Sequence, residues 1–209
     1  MTFDQVTEAA YRELLQQGFA DFPIRLSSYR CGDCLFLSYQ QYSSLSGIPV
    51  QELRLQDALG DGYFIPSLRG RRLILYDGEK YPDRMNFTLA HEIGHLRLGH
   101  DRQGDRQEIE ANFFAAQFLM PDAVLRQFVL LGYPLAEGTI RALFGVSRQA
   151  ARKKADYLAR FPLGHPNRLD GEVTARFLPA VRRRMEGLGA ADEKNDLTLR
   201  QWEDSLLEP

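Results

Sequence analysis

The sequence predicts an α+β fold, with one small sheet in the first half of a mostly helical chain. Apolar residues follow helical spacing over residues 2–17, whereas residues 62–66 and 72–76 have the aromatic and β-branched composition of two strands around a glycine-containing turn. Helical patterns return from residue 82 onward. With 209 residues, 44% of them hydrophobic, the chain is long enough to bury a sizeable core.

The first 80 residues divide into short elements that each end near a glycine or a turn. The predicted elements are a helix over 2–17, a short helix ending near Gly32, a strand over 34–39, a helix over 49–59 and the hairpin over 62–76. A small sheet of this kind has a free edge, and such an edge can hold an extended peptide by main-chain hydrogen bonds. The hairpin therefore favours a peptide as ligand.

The segment His91-Glu92-Ile93-Gly94-His95 lies in a helical pattern that starts near Pro82 and ends before Gly99. Residues four apart share a helix face, so His91 and His95 can bind one metal ion, for which zinc is favoured. Glu92 lies on the flank of that face, where it can act as the general base for an attacking water. The alternative is a solvated helix that carries two histidines by chance.

A third metal ligand is expected from the helical pattern over residues 107–121, which contains Glu108 and Glu110. Glu108 shares its face with Asn112 and Ala115, and small residues on that face let another helix approach closely. Glu110 points roughly 200° away from Glu108. We therefore assign Glu108 as the third ligand and Asn112 as its hydrogen-bonding partner, with Glu110 as the alternative ligand.

A metzincin site is excluded by the spacing after the first histidine. That pattern needs glycine seven residues and a ligand ten residues later, and these positions hold Leu98 and Asp101. His100 is out of register with the pattern. It is expected to be a solvent-exposed histidine at the end of the helix, where the helix dipole favours it.

The only two cysteines, Cys31 and Cys34, lie in a Cys-Gly-Asp-Cys segment. Such a pair can be redox-active or supply half of a metal site, but the chain has no second cysteine pair and the segment has no βαβ context. Ordinary buried or half-buried thiols in a turn are expected.

The charge and hydropathy of the chain argue against nucleic-acid-coating and membrane proteins. The formal net charge is -2. No apolar run approaches the roughly 18 residues that span a bilayer, and the first residues lack the regions of a signal peptide. A cytoplasmic protein without a membrane partner is predicted.

The residues after Pro121 predict a helix followed by a helix-turn-helix layout, with the Gly-Val-Ser turn at 145–147. Six basic residues accompany one acidic residue, Asp156, in this region: Arg141, Arg148, Arg152, Lys153, Lys154 and Arg160. This basic surface could contact DNA, dock a partner protein or remain a solvated face of a scaffolding subdomain. The low net charge of the chain argues against the hypothesis that this surface contacts DNA.

Residues 161–166 contain two prolines and a glycine and are interpreted as a linker. Beyond the linker, Val173, Phe177, Val181 and Met185 space like one helix face, which is interrupted or kinked at Pro179. The final residues are expected to be partly flexible.

Residues 84–95 and 108–121 resemble the ImmA/IrrE family of metallo-endopeptidases, and the resemblance extends over about residues 5 to 160. It implies a gluzincin-like zinc protease with His91, His95 and Glu108 as ligands and Glu92 as the general base. Members of the family cleave a cognate helix-turn-helix repressor of a phage, mobile element or stress regulon. A protein substrate of this kind is therefore expected. The alternative is a non-catalytic regulator that binds a repressor or DNA.

Three regions follow from these assignments. Residues 1–121 are expected to form a zincin-like metallopeptidase domain, in which a small sheet accompanies the His-Glu-x-x-His helix and the glutamate-bearing helix. Residues 122–160 form a helix-turn-helix-like subdomain, and residues 161–209 a helical extension.

Overall fold

The structure is a computed structural model that describes residues 1–26, 29–32, 34–55, 61–68, 71–101, 104–161, 163 and 166–187. Its architecture is α+β, as the sequence predicts. The elements in chain order are α1 (Phe3–Gln17), β1 (Cys34–Ser38), α2 (Tyr39–Ser46), α3 (Val50–Leu55), β2 (Gly62–Leu68), β3 (Arg71–Tyr76), α4 (Pro82–Leu98), α5 (Asp105–Leu119), α6 (Asp122–Leu130), α7 (Glu137–Phe144) and α8 (Arg148–Arg160). Residues 170–187 are also helical and are called α9.

The three strands form one sheet in the order β1-β3-β2. The predicted hairpin is confirmed, because β2 pairs antiparallel with β3. Strand β1 runs parallel to β3, and a parallel pair needs a crossover connection, which α2 and α3 lie within. Strand β2 is thereby placed at one edge of the described sheet, and α4 packs against it.

The connection between α1 and β1 differs from the prediction. The described residues between Phe19 and Gly32 form a 3-10 turn at Leu26 and no α-helix. The physical reason lies in α4, where Asn86 Oδ1 accepts a hydrogen bond from Leu26 N at 3.0 Å and Asn86 Nδ2 donates to Ile24 O at 2.6 Å. These backbone groups therefore bond to a distant side chain instead of to a helical turn.

Helix α2 was not predicted, although its start is encoded locally. The Ser38 hydroxyl accepts a hydrogen bond from Gln41 N, and the Gln41 side chain accepts one from Ser38 N, which is a capping box. The next predicted helix, over 49–59, is present as α3, and residues 56–60 lie outside the described part of the chain.

The main core is shared by all three predicted regions. Its fully buried aromatic residues come from α1, α5, α6, α7 and α9 and include Tyr11, Phe114, Phe118, Phe128, Phe144 and Phe177. An ion pair between the half-buried Arg97 of α4 and the buried Glu13 of α1 also links these helices, with Arg97 Nε 2.7 Å from Glu13 Oε2. The division at residues 121 and 160 stays a prediction.

Helix α9 carries the predicted apolar face, since Val173, Phe177 and Val181 are buried in the main core. The helix runs through Pro179 without the expected interruption. The end of the predicted extension, residues 188–209, lies outside the described residues.

In the part of the chain that the structure describes, no single helix has the length and apolar character needed to cross a membrane. Helices α5 and α6, bent by 48° relative to each other, pass the same test only as a pair.

Helices α7 and α8 form the predicted pair, joined by Gly145 in a left-handed conformation and capped at Ser147. One member of the expected basic surface is not on the surface. Lys154 is buried, and its Nζ lies 2.6 Å from Asp122 Oδ1 at the start of α6. The ion pair therefore attaches α8 to α6, and the remaining basic surface is smaller than predicted.

Replacing Lys154 by alanine is expected to lower the free energy of unfolding by about 3–5 kcal/mol, because it removes one partner of a buried ion pair. Lys153→Ala is the matched control, since Lys153 is exposed on the next position of the same helix, and its effect should stay within about 0.5 kcal/mol. Urea unfolding of both variants makes the comparison. Equal effects would contradict a structural role for the buried pair.

Candidate metal centre

The site depends on a close approach of α4 and α5. Gly94 of α4 lies against Ala111 of α5, so a Cβ atom at position 94 would come within 3.2 Å of both the Cα and the O of Ala111. It would also lie 3.2 Å from Phe114 Cβ. The absence of a side chain at Gly94 therefore lets the two helix backbones pack together.

This packing brings together the three side chains that the sequence assigns as metal ligands. Glu108 Oε2 lies 3.3 Å from His91 Nε2, and Glu108 Oε1 lies 3.4 Å from His95 Nε2. The two Nε2 atoms are 3.0 Å apart. One ligand atom from each of the three residues lies within 4.8 Å of the others, so the group can hold one metal ion.

The two histidines are more buried than the carboxylate. The exposed fraction of the side chain is 15% for His91 and 8% for His95, against 45% for Glu108. Burial, together with His91 and His100 beside it, lowers the pKa of His95 to about 3. His95 is therefore neutral at physiological pH, as a metal ligand must be.

The three residues line a cavity of about 1140 Å³. Glu92 borders the same cavity and is 5% exposed, so its carboxyl group belongs to the site while most of it is shielded from water. Residues Gly62, Tyr63 and Phe64 of the edge strand β2 form part of the wall. The cavity is thus lined by the three proposed metal ligands, the proposed base and part of strand β2.

The prediction for His100 is wrong. Its side chain is only 7% exposed, because it is enclosed between α4 and α5. His100 Nδ1 lies 3.0 Å from His95 Nδ1, and His100 Nε2 lies 3.1 Å from Glu110 Oε2. The prediction took only the helix dipole into account. In the folded protein, the His100 ring contacts the carboxylate of Glu110, ten residues later in the chain.

Glu110, the alternative ligand, faces away from the His91–His95 pair. In addition to His100, its carboxylate accepts hydrogen bonds from Arg106 Nε at 3.0 Å and from the Met1 amino group at 2.5 Å. The bond from the amino group lowers the pKa of Glu110 to about 2, with further contributions from Arg106 and His100. Glu110 is thus an ionised, acceptor-only group.

Asn112 is a hydrogen-bonding partner of Glu108, as the sequence predicts, but it bonds to the backbone of Glu108 and not to the carboxylate. Its Nδ2 donates a hydrogen bond to the backbone oxygen of Glu108 at 2.8 Å, one helical turn away. The side chain of Asn112 is exposed, because the packed side of α5 is the one that carries Ala111 and Ala115. Asn112 therefore supports the backbone of the helix beside Glu108.

Of the two cysteines, Cys34 is buried and Cys31 is half-buried. Cys31 Sγ lies 3.9 Å from Arg97 Nη2. Among the described residues, the group with the spacing of a metal site is the His91, His95 and Glu108 cluster, and neither cysteine belongs to it.

One part of the cavity wall was not foreseen from the sequence. The first turns of α8 and the residue that caps it also line the cavity, and the lining residues include Ser147, Arg148, Gln149, Lys153 and Tyr157. Part of the basic region interpreted above as a surface for DNA or a partner thus faces the site. The sequence of α8, a capped helix rich in lysine and arginine, does not indicate that its residues line this cavity.

Comparisons with known proteins show which family the chain resembles. Residues 44–156 match the model of the Peptidase_M78 family, described as an IrrE N-terminal-like domain. The chain is also 38% identical over 121 residues to the radiation response metalloprotease IrrE of Deinococcus radiodurans. That alignment covers 48% of this chain and 36% of the relative, so the chain spans about a third of the length of the curated relative that it matches.

Gly94→Ala is expected to destabilise the fold by about 1–3 kcal/mol, because the added methyl group must push α4 and α5 apart. The shift moves Glu108 away from the histidines and should weaken metal binding by about tenfold. Gly138→Ala is the control, since a Cβ atom at Gly138 meets no atom within 4 Å, and this variant should be neutral or slightly more stable. Thermal unfolding and metal titration measure both effects, and wild-type metal affinity in Gly94→Ala would contradict this packing requirement.

Glu110→Gln is expected to lower the free energy of unfolding at pH 7 by about 1–3 kcal/mol. The pKa of Glu110 in the folded protein lies below its ordinary value of 4.5, so the ionised carboxylate stabilises the fold above that pH. The difference between wild type and variant should therefore shrink as the pH falls from 4.5 towards 2. Urea unfolding in the presence of a chelator measures it without interference from metal loss.

The control for that experiment is Glu137→Gln, because Glu137 pairs with Arg148, whose side chain is exposed. An exposed ion pair contributes at most about 1 kcal/mol. A constant difference between Glu110→Gln and wild type across the acidic range would contradict the assigned role of the carboxylate.

Proposed function

The chain belongs to the family of IrrE N-terminal-like peptidase domains, and we propose that it is a zinc-dependent endopeptidase that cleaves a protein substrate. The observation that carries this proposal is the meeting of His91, His95 and Glu108 in one cavity with the buried Glu92. Two consecutive helices, α4 and α5, supply the four side chains, and their packing against each other brings the side chains together.

The donor set fits zinc better than the other common divalent metals. Catalytic zinc sites use three protein ligands, often two imidazole nitrogens and one carboxylate oxygen, and keep a further position open. Magnesium and calcium prefer oxygen ligands alone. When bound, zinc would polarise the scissile carbonyl and lower the pKa of the attacking water.

His91 and His95 would hold the metal through the Nε2 atoms that face each other, and Glu108 would complete the set from α5. Glu92 would take the proton of the attacking water and pass it to the leaving amine, which is the role of a general base that later acts as an acid. Its burial favours this role, because a partly dry site strengthens the electrostatic interactions that catalysis uses.

The cavity supports an extended polypeptide as substrate. It is larger than a small-molecule site requires, and residues of edge strand β2 and of α8 line it. A cavity open between two elements suits a flexible segment of another protein. We propose a helix-turn-helix transcriptional repressor of a phage, mobile element or stress regulon as this protein.

A non-catalytic regulator that binds a repressor or DNA through α7 and α8 is the competing function. Two features of α8 weigh against DNA. Lys154 is buried with Asp122, and the first turns of the helix line the cavity. Binding of a protein partner at the cavity is compatible with both functions, so catalysis must be tested directly.

Glu92→Gln should retain the metal and lower the rate of substrate cleavage by about 10²-fold or more, because the general base is lost. The experiment incubates the zinc-loaded protein with the repressor encoded next to it, at substoichiometric amounts, with and without a chelator. Fragments from a molar excess of repressor identify an enzyme, and full activity of Glu92→Gln would remove Glu92 from the mechanism.

His91→Ala provides the matched metal-free control, because it deletes one proposed ligand on the same helix. It should lose both zinc and activity, whereas Glu92→Gln should lose activity alone. If intact repressor is bound at a fixed ratio and no fragments form, the regulator function replaces the peptidase.

A further inference from the structure

A continuous chain of polar contacts leads from the candidate metal centre into the protein. It starts at His95, whose Nδ1 atom lies 3.0 Å from His100 Nδ1. It continues from His100 Nε2 to Glu110 Oε2 at 3.1 Å. The rings of His95 and His100 are inclined by 72° with centroids 5.0 Å apart, in a T-shaped arrangement.

The order of donors and acceptors in this chain follows from its inner end. The Glu110 carboxylate already accepts hydrogen bonds from Arg106 and the Met1 amino group, and an ionised carboxylate cannot donate. His100 Nε2 must therefore carry the proton in its contact with Glu110. When the His100 ring carries one proton, its other nitrogen is an acceptor, so His100 Nδ1 accepts the Nδ1 proton of His95.

We propose that His100 and Glu110 are positioning residues that hold His95 in the tautomer with its proton on Nδ1, so that its Nε2 lone pair faces the metal. A histidine ligand whose second nitrogen donates to an outer partner is fixed in orientation and becomes a stronger electron donor. Here the outer partner is a second histidine, His100, which connects the Glu110 carboxylate of α5 to His95 of α4.

The enclosure of the relay supports this role. His100 and Glu110 are 7% and 9% exposed, so water competes little for their hydrogen bonds. The opposite proton order would place a proton on His95 Nε2, which lies 3.0 Å from His91 Nε2 and within the group of ligand atoms. That proton would have to leave before a metal could bind.

The first test is the tautomeric state of the histidines in the metal-free wild-type protein, measured by long-range ¹H–¹⁵N NMR. The chain has four histidines, so single substitutions can assign each ring. His95 is expected to carry its proton on Nδ1 and His100 on Nε2. A proton on Nε2 of His95 would overturn the proposal.

The second test is zinc affinity, measured by competition with a chelator of known affinity. His100→Ala should weaken zinc binding by about 10- to 100-fold, the usual effect of removing an outer partner of a metal ligand. His100→Asn should recover most of this loss, to within about threefold of wild type, because its amide oxygen can accept the Nδ1 proton of His95. Unchanged affinity in His100→Ala, or equal losses in both variants, would overturn the proposal.

Gln117→Ala is the control for loss of stability. Gln117 is a buried polar residue of the same helix α5, but its Nε2 donates to Asp122 Oδ2 at 2.7 Å, away from the cavity. This variant should be less stable with unchanged zinc affinity, which separates general destabilisation from loss of the relay.

The relay rests on the proposed zinc site and not on the proposed substrate. Neither readout involves peptide cleavage, so a protein that binds zinc with the expected tautomers but cuts no repressor would disprove the peptidase function alone.

Discussion

The contact between Gly94 and Ala111 is the constraint on which the rest of the site depends. It sets the distance between α4 and α5 and therefore places Glu108 3.3 and 3.4 Å from the two histidines. Both helices are also anchored on their outer sides, α4 by the ion pair between Arg97 and Glu13 and α5 by its packing against α1. A ligand set divided between two helices needs this rigidity, because small displacements of a ligand weaken metal binding.

Two faces of helix α5 contribute to the same candidate metal site. One face presents Glu108 towards the ligand pair, and the other presents Glu110 to His100, which in turn contacts His95. The two glutamates are only two residues apart, so the same helix supplies both a proposed ligand and the outer support of another ligand. The sequence motif on α4 therefore describes only part of the centre.

The parts of the site that depend on local spacing could be predicted from the sequence. His91 and His95 follow from a four-residue repeat on a helix, and the choice of Glu108 over Glu110 follows from the direction of each side chain around α5. Their roles as ligands stay predictions. The capping box at Ser38 and Gln41 also contained enough local information to predict α2.

The remaining features depend on contacts between residues distant in sequence, which local patterns do not report. Asn86 accepts a hydrogen bond from the backbone of Leu26, sixty residues earlier in the chain. The expected short helix does not form at Leu26, because this backbone group bonds to Asn86 instead. Lys154 is not part of the expected basic surface, because its side chain is buried and forms an ion pair with Asp122. Helices α8 and α4 likewise line the same cavity. The sequence of either helix does not indicate this, because it follows from how the folded chain packs.

The most direct test of the metal centre is a crystal structure of the zinc-loaded protein with anomalous data collected at the zinc edge. We expect one zinc peak, bound at about 2.0–2.2 Å by His91 Nε2, His95 Nε2 and a carboxylate oxygen of Glu108. Zinc held instead by Glu110 or by a cysteine thiolate, or a peak outside the cavity, would contradict it.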